Sequence, residues 1–250
     1  MRTVLIWVSI VVLALALSAG PVQGQVPRQV ALFPSAVFRG VATPGRYFYL
    51  AQAVVEYEPG AFSAAGSEQS RRFFTVMEGE LTVTTGGKTE VHGAGKSFAV
   101  APGVIVKSSN EGRTTRARVF VSSLVPARGE DAAAVAGTGP SSTPPRIICA
   151  SRVPKSVAPA VIDVIQAGTR YEPGFATGLH TMNEMHDVLH LEGTTSYEYL
   201  GGDVERFGPC QRGEMYMAQP GLMANRTATP AVFVLTWLSA PGAALTSPWR

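Results

Sequence analysis

Two stretches built on one frame decide how this chain is read. Tyr57 to Gly79 runs YEPGAFSAAGSEQSRRFFTVMEG, and Tyr171 to Gly193 runs YEPGFATGLHTMNEMHDVLHLEG. Each opens on Tyr-Glu-Pro-Gly, where the proline fixes φ and the glycine frees it, so the chain turns. Each closes on an apolar run stopped by Glu-Gly. The second copy holds His180, His186 and His190, three of the four histidines in the chain, and the first copy holds none.

The frame extends outward in both halves. Tyr47 to Tyr57 and Ala160 to Tyr171 read as strands running into the Pro-Gly turns. Arg72 to Met77 and His186 to Leu191 read as the strands before Glu-Gly. Glu80 to Thr85, alternating in and out, turns at Gly86-Gly87 into Lys88 to Val91; Ser196 to Leu200 turns in the same way at Gly201-Gly202. A glycine then opens KSFAVAPG after Gly95 and EMYMAQPG after Gly213, and Ala117 to Leu124 matches Ala231 to Leu238. The offset between copies is 114 residues at both Tyr-Glu-Pro-Gly and Glu-Gly, and 118 at the later Pro-Gly turns, where the second copy has the longer hairpin. A turn order repeated over both halves is a tandem repeat. Short strands, many turns and no amphipathic helical run predict an all-β chain of two antiparallel barrels or jelly rolls.

Pro126 to Pro145, rich in Ala, Gly, Ser and Pro, has linker composition. The expected domains are therefore residues 28–125 and 146–242, joined by 126–145. Gln25 to Arg46, with three prolines, reads as a loop and an edge strand. Residues 1–24 read as a signal peptide: Arg2, then an apolar run from Val4 to Leu17, then small residues up to Gly24. That run is shorter than the roughly 20 residues a membrane span needs. Export follows as the expectation, with no membrane partner after cleavage. An oxidising compartment permits a bridge between Cys149 and Cys210, although two separate thiols fit the sequence as well. The composition is globular, 46% hydrophobic and 16% charged, and the net charge of +3 is scattered without a basic stripe. Nucleic-acid binding is set aside on that ground.

The order of a Pro-Gly turn, a ligand-bearing stretch, a strand ending in Glu-Gly, and a glycine-opened strand ending in Pro-Gly resembles the two cupin motifs. The likeness covers residues 47–124 and 160–238. It implies a bicupin: two tandem cupin-type β-barrels, with any site inside a barrel mouth. The cupin pattern aims two histidines and a glutamate from the first motif, and a histidine from the second, at one metal. Here those positions fall on His180, Met182 and His186, with Ala224 or Asn225 at the last. In the first repeat they fall on Gly66, Glu68, Arg72 and Val106 or Lys107, so a metal is expected only in the second barrel.

Ureidoglycine aminohydrolases are similar in pairing a metal-free first cupin with a manganese site in the second. That resemblance implies a divalent metal, manganese first and zinc or iron next, and release of ammonia from a small ureido or amino compound. Of the four ligands of that subfamily, one residue type is kept, His186; His180, Met182 and Ala224 replace the others.

From chemistry alone, His186 and His190 share one face of a strand. Imidazole suits many divalent ions. His180 and His186, with the thioether of Met182, are the candidate ligands. Glu184 is the nearby carboxylate for a catalytic base, and His190 and Asn225 are expected to line the substrate pocket. The competing reading makes the histidines hydrogen-bonded structural residues and has Met182, Met185, Met215, Met217 and Met223 fill an irregular interior. Arg72 should point into the first barrel and needs a carboxylate such as Glu58 or Glu68. The expected partner is a small polar molecule. The alternatives to a hydrolase are a non-catalytic binding or structural bicupin and a cupin dioxygenase. Exposed sheet edges favour a homo-oligomer.

Overall fold

A computed structural model describes residues 28–127, 143–156, 159–215 and 219–249. The signal-peptide stretch, residues 128–142 of the linker and Met217 lie outside the described residues. Among the described residues every regular element is a strand.

The first half forms β1 (Gln29–Ala42), β2 (Tyr47–Tyr57), β3 (Arg71–Glu78), β4 (Glu80–Thr85), β5 (Lys88–Gly93), β6 (Ser97–Val100), β7 (Val106–Ser109) and β8 (Ala117–Pro126). The second forms β9 (Arg146–Ser156), β10 (Val161–Tyr171), β11 (His180–Met182), β12 (Met185–Glu192), β13 (Thr195–Tyr199), β14 (Val204–Phe207), β15 (Arg212–Gly213), β16 (Gly221–Ala224), β17 (Ala231–Ser239) and β18 (Thr246–Pro248). The expected hairpins appear at their glycine turns. Gly86 and Gly87, at φ +56° and +81°, occupy the left-handed region that glycine enters without steric cost.

Each barrel is two antiparallel sheets folded over a core. The first pairs the order β6-β3-β8-β2-β9 with β5-β4-β7; the second pairs β1-β10-β17-β12-β15 with β14-β13-β16-β11-β18. The opening strands are exchanged. β1, ahead of the first repeat, runs antiparallel to β10 from Gln29↔Tyr171 to Ala42↔Val161. β9, ahead of the second, runs antiparallel to β2 from Tyr47↔Ser156 to Glu56↔Arg146. Residues 28–125 thus contribute their first strand to the second barrel's sheet, and residues 146–242 contribute theirs to the first. β1 is an edge strand, as its prolines suggested, but of the other barrel. β18, beyond residue 242, joins β11 and extends the second barrel toward the C-terminus.

Apolar alternation fills the first barrel. Val55, Tyr57, Phe74, Val76, Leu81, Val83, Val119 and Val121 are buried together. Arg72 points into the same interior, with Nη1 3.1 Å from Glu68 Oε1 and its guanidinium 5.8 Å from the Phe74 ring centroid. The carboxylate partner expected of it is therefore Glu68.

The five-stranded sheets meet face to face. Leu50, Phe73 and Leu124 pack on Val164 and Leu238, and Val54 and Phe120 pack on Leu189 and Val234. Such a layer is a second hydrophobic core, as sheet packing demands. Cys149 on β9 and Cys210 in the turn between β14 and β15 form a disulfide, with their Cα atoms 5.0 Å apart. The bridge ties the exchanged strand back to the second barrel.

Candidate functional site

The second barrel holds a cavity of about 740 Å³, open to solvent on one side and lined by β1, β10, β11, β12, β16, β17 and β18. Its wall is mostly apolar, including Phe33, Ile165, Val188, Phe233, Leu235 and Trp237. His180, Met182 and His186 line it; Glu184, His190 and Asn225 do not. The size lies within the range of small-molecule sites.

His180 and Met182 stand two apart on β11 and so share a face. β11 is held between β16 and β18 through His180↔Gly221 and His180↔Pro248. The His180 ring donates from Nδ1 to the Gly178 carbonyl at 2.8 Å, which leaves its Nε2 as the acceptor nitrogen of the neutral ring. The tail segment closes over this strand: Asn183 donates to Ala244 O and Ser247 Oγ, and the Trp249 amide donates to Leu179 O at 3.0 Å. Leu245, Thr246 and Pro248 of that tail line the cavity. Sequence reading passed over them because the tail has no counterpart in the first repeat; the signal was an apolar-bearing segment, LTSPW, after the last repeat strand.

His186 is 2% exposed. Its Nε2 accepts the Met215 amide at 3.1 Å, so the neutral ring carries its hydrogen on Nδ1. Nδ1 is buried without a hydrogen-bond partner; the Glu184 carbonyl lies near enough to favour a proton on the ring but outside hydrogen-bonding geometry. Burial pushes the His186 pKa down to about 4, against the weaker opposing pull of Glu214. The ring is neutral at pH 7.

His190 is consumed structurally. Its Nδ1 donates to Gln211 O at 3.0 Å and its Nε2 accepts from the Thr195 hydroxyl at 2.6 Å, while burial holds its pKa at about 4. It anchors the turn that carries Cys210, whose amide donates to the His190 carbonyl. Asn225 is a turn staple: its amide donates to Tyr171 O and Thr229 O, and its Oδ1 accepts from Thr227. Asn110 does the same for Tyr57 O and Thr115 O in the first repeat. Glu184 accepts from the Ala240 amide at 3.3 Å.

On the face of β12 opposite His186, Asp187 is fully buried and pairs with Arg212, which also pairs with Glu214; Lys155 reaches Glu214 at 2.9 Å and the His186 carbonyl at 3.2 Å. Burial raises the Asp187 carboxyl against the pull of Arg212. This cluster seals β9 and β15 against β12 and lies outside the cavity wall.

The donor set does not suit a manganese centre. Among the described residues no group of three His, Cys, Asp or Glu is placed to hold a metal ion. Among the described residues the cavity wall contains no carboxylate, although manganese favours oxygen ligands. His186 has committed its acceptor nitrogen to a backbone amide. What remains is one imidazole nitrogen of His180 and the thioether of Met182.

In comparisons with known proteins, residues 53–123 match the cupin domain family. A search of curated proteins finds no match. Among solved structures, the chain resembles oxalate decarboxylase of Bacillus subtilis at 12% identity and TM-score 0.55, over 90% of this chain and 80% of that one. It resembles the vicilin of hazelnut, Corylus avellana, at 13% identity and TM-score 0.55, over 84% and 86%. The vicilin of Solanum melongena, at 12% identity and TM-score 0.55 over 79% and 76%, holds different anionic ligands in structurally similar pockets. The fold is the two-barrel cupin fold.

Proposed function

We propose that this chain is a non-catalytic, exported bicupin whose second barrel binds a small, largely apolar molecule without a metal. The observation that carries the reading is the contrast at one equivalent position. Arg72 reaches into the first barrel's apolar cluster and pairs with Glu68, whereas His186 at the same place in the second barrel lines a cavity of about 740 Å³ walled mostly by apolar groups. Pocket-bearing vicilins support the capacity of the fold to hold small molecules, but here, among the described residues, no Lys or Arg lines the wall. Export is supported by the leader pattern and by the Cys149–Cys210 disulfide, a bond at home in oxidising compartments.

The aminohydrolase reading, with Glu184 as base and His180, Met182 and His186 as manganese ligands, asks for donors that the wall does not offer. Metal content separates the two. After expression with added manganese, zinc and iron, the purified chain should carry below ~0.2 equivalents of any of them, unchanged by His180→Ala or His186→Ala. Stoichiometric metal lost in those variants, with ammonia released from ureidoglycine, would restore the hydrolase.

A further inference from the structure

Two residues of the cavity wall carry buried N–H groups that make no hydrogen bond of good geometry, with the Glu184 carbonyl beside that of His186. His186 and Trp237 are direct cross-strand partners on β12 and β17, and both line the cavity. Partners of this kind stand side by side on one face, with Cβ atoms roughly 5 Å apart. The Trp237 indole can only donate, and its Nε1 is buried and unpaired. His186 has given its acceptor nitrogen to the Met215 amide, so its buried, unpaired Nδ1 is a donor as well. Buried donors in folded proteins are almost always paired. Two such groups on adjacent residues of one cavity wall leave a place for an acceptor supplied from outside the chain.

We propose, on the reading of the second barrel as a metal-free binding cavity, that Trp237 and His186 form a two-donor site for the neutral carbonyl oxygen of an otherwise apolar ligand. A carbonyl oxygen has two lone pairs, one for each donor. A carboxylate fits less well, because among the described residues no Lys or Arg lines the wall to offset its desolvation. Burial also keeps the His186 ring uncharged at neutral pH. The remaining contacts, to Phe33, Val188, Phe233 and Leu235, suit a hydrocarbon body.

The test uses the full chain and three probes of equal length: methyl heptyl ketone, nonane and nonanoate, with binding followed by calorimetry. The ketone should bind tightest. Trp237→Phe, which keeps an aromatic ring, should weaken the ketone about 5- to 10-fold and leave nonane within about twofold. Independently of any variant, the carbonyl stretch of a carbon-13-labelled ketone should move to lower frequency on binding the unaltered chain. Equal binding of ketone and nonane, equal losses for both in the variant, or an unshifted stretch would overturn the donor site while leaving the barrel as a binding cavity. Tighter binding of nonanoate would overturn the neutral class of ligand. No binding of any probe would overturn the cavity reading itself.

Discussion

Ser122 Oγ and Thr236 Oγ1, equivalent residues 114 apart in the two repeats, lie 2.6 Å from each other where the barrels meet. They sit at the centre of a polar network with internal two-fold symmetry. Gln52 donates to Thr236 at 2.7 Å and to the Asp187 carbonyl at 3.2 Å; Gln166 donates to Ser122 at 2.7 Å and to the Phe73 carbonyl at 3.2 Å. Each glutamine thus repeats the other's contacts one repeat later. The symmetry fails at one place. Thr75 donates to Gln166 Oε1 at 2.7 Å, but the equivalent residue is Leu189, and Gln52 Oε1 is left unpaired.

Removing the one donor that completes the network should therefore be costly. Thr75→Val keeps the shape of the side chain and orphans Gln166 Oε1 in a fully buried layer, so it should destabilise the chain by about 1–3 kcal/mol. Leu189→Thr, which offers Gln52 the missing donor at the cost of apolar packing on Val54 and Phe120, should lose less than Leu189→Ser. Urea unfolding of the three variants measures both statements.

The repeat, the strands and the glycine turns were legible because they are local: Gly and Pro punctuate the chain and apolar residues alternate between the turns. The exchange of β1 and β9 was not, since alternation tells a strand which face to bury and never which neighbour to pair with. The same limit governs the site. That His180, Met182 and His186 belong to one site came from the cupin frame; the shared-face rule placed His186 and Val188 on the wall but wrongly sent His190 there with them. That Met215 would spend the acceptor nitrogen of His186, and that Gln211 and Thr195 would spend both nitrogens of His190, depends on chain brought close by the long hairpin. Asn225 had a legible clue in Asn110, its counterpart in the histidine-free repeat, which marks a shared turn rather than a pocket residue.

The disulfide should be worth more than its exposed turn suggests. Cys149 and Cys210 are separated by 61 residues, and closing a loop of that length stabilises by about 4 kcal/mol in the chain-entropy model. It also fastens β9, which belongs to the first barrel's sheet, to the second barrel. The Cys149→Ser, Cys210→Ser double variant should unfold at a clearly lower urea midpoint, and reductant should bring the native chain down to the same level.

The glycines that end the two Glu-Gly strands should tolerate no side chain. Gly79 and Gly193 have φ of +71° and +65°, and a Cβ there would lie 2.3 Å from Arg116 O and 2.2 Å from Pro230 O. Both obstacles are backbone, so no rotamer relieves them. Gly79→Ala and Gly193→Ala should each cost about 2–4 kcal/mol, well above the ordinary glycine-to-alanine change in a turn. Gly86→Ala, also at positive φ but with open space around it, is the control and should cost about 1 kcal/mol.

Acid should weaken the fold well before its carboxylates are titrated. Burial holds His186 and His190 at about 4, below the ordinary value of 6.5. The unfolded chain therefore binds more protons than the folded one between those limits, and stability is present above pH 6.5 and lost as pH falls toward 4. Each ring contributes about 3 kcal/mol to that loss. Asp187 acts in the opposite sense, since its raised carboxyl lets the native state take up a proton early. A net fall of about 3–5 kcal/mol from pH 7 to pH 4, followed by urea unfolding, is the expected outcome. A flat profile over that window would contradict the buried, neutral state of both rings.

Filling the cavity should separate binding from folding. Ala167 lies on the cavity wall opposite Leu235 in the β10–β17 register, and its side chain is partly buried against the barrel core. Ala167→Leu places an isobutyl group in space that the native chain leaves open, so it need not displace packed neighbours. Stability should change by no more than about 1 kcal/mol, because added apolar contact offsets the loss of side-chain freedom. Probe binding should fall more than about tenfold, since the ligand must then compete for a volume the protein has taken. The mirror change, Ala53→Leu in the first barrel, enters a buried hydrophobic cluster in which Ala53 is fully covered. It should cost about 1–3 kcal/mol through overpacking. Equal stability losses in the two variants would mean that the second barrel is as full as the first, and that the difference between Arg72 and His186 has no consequence for the space around them.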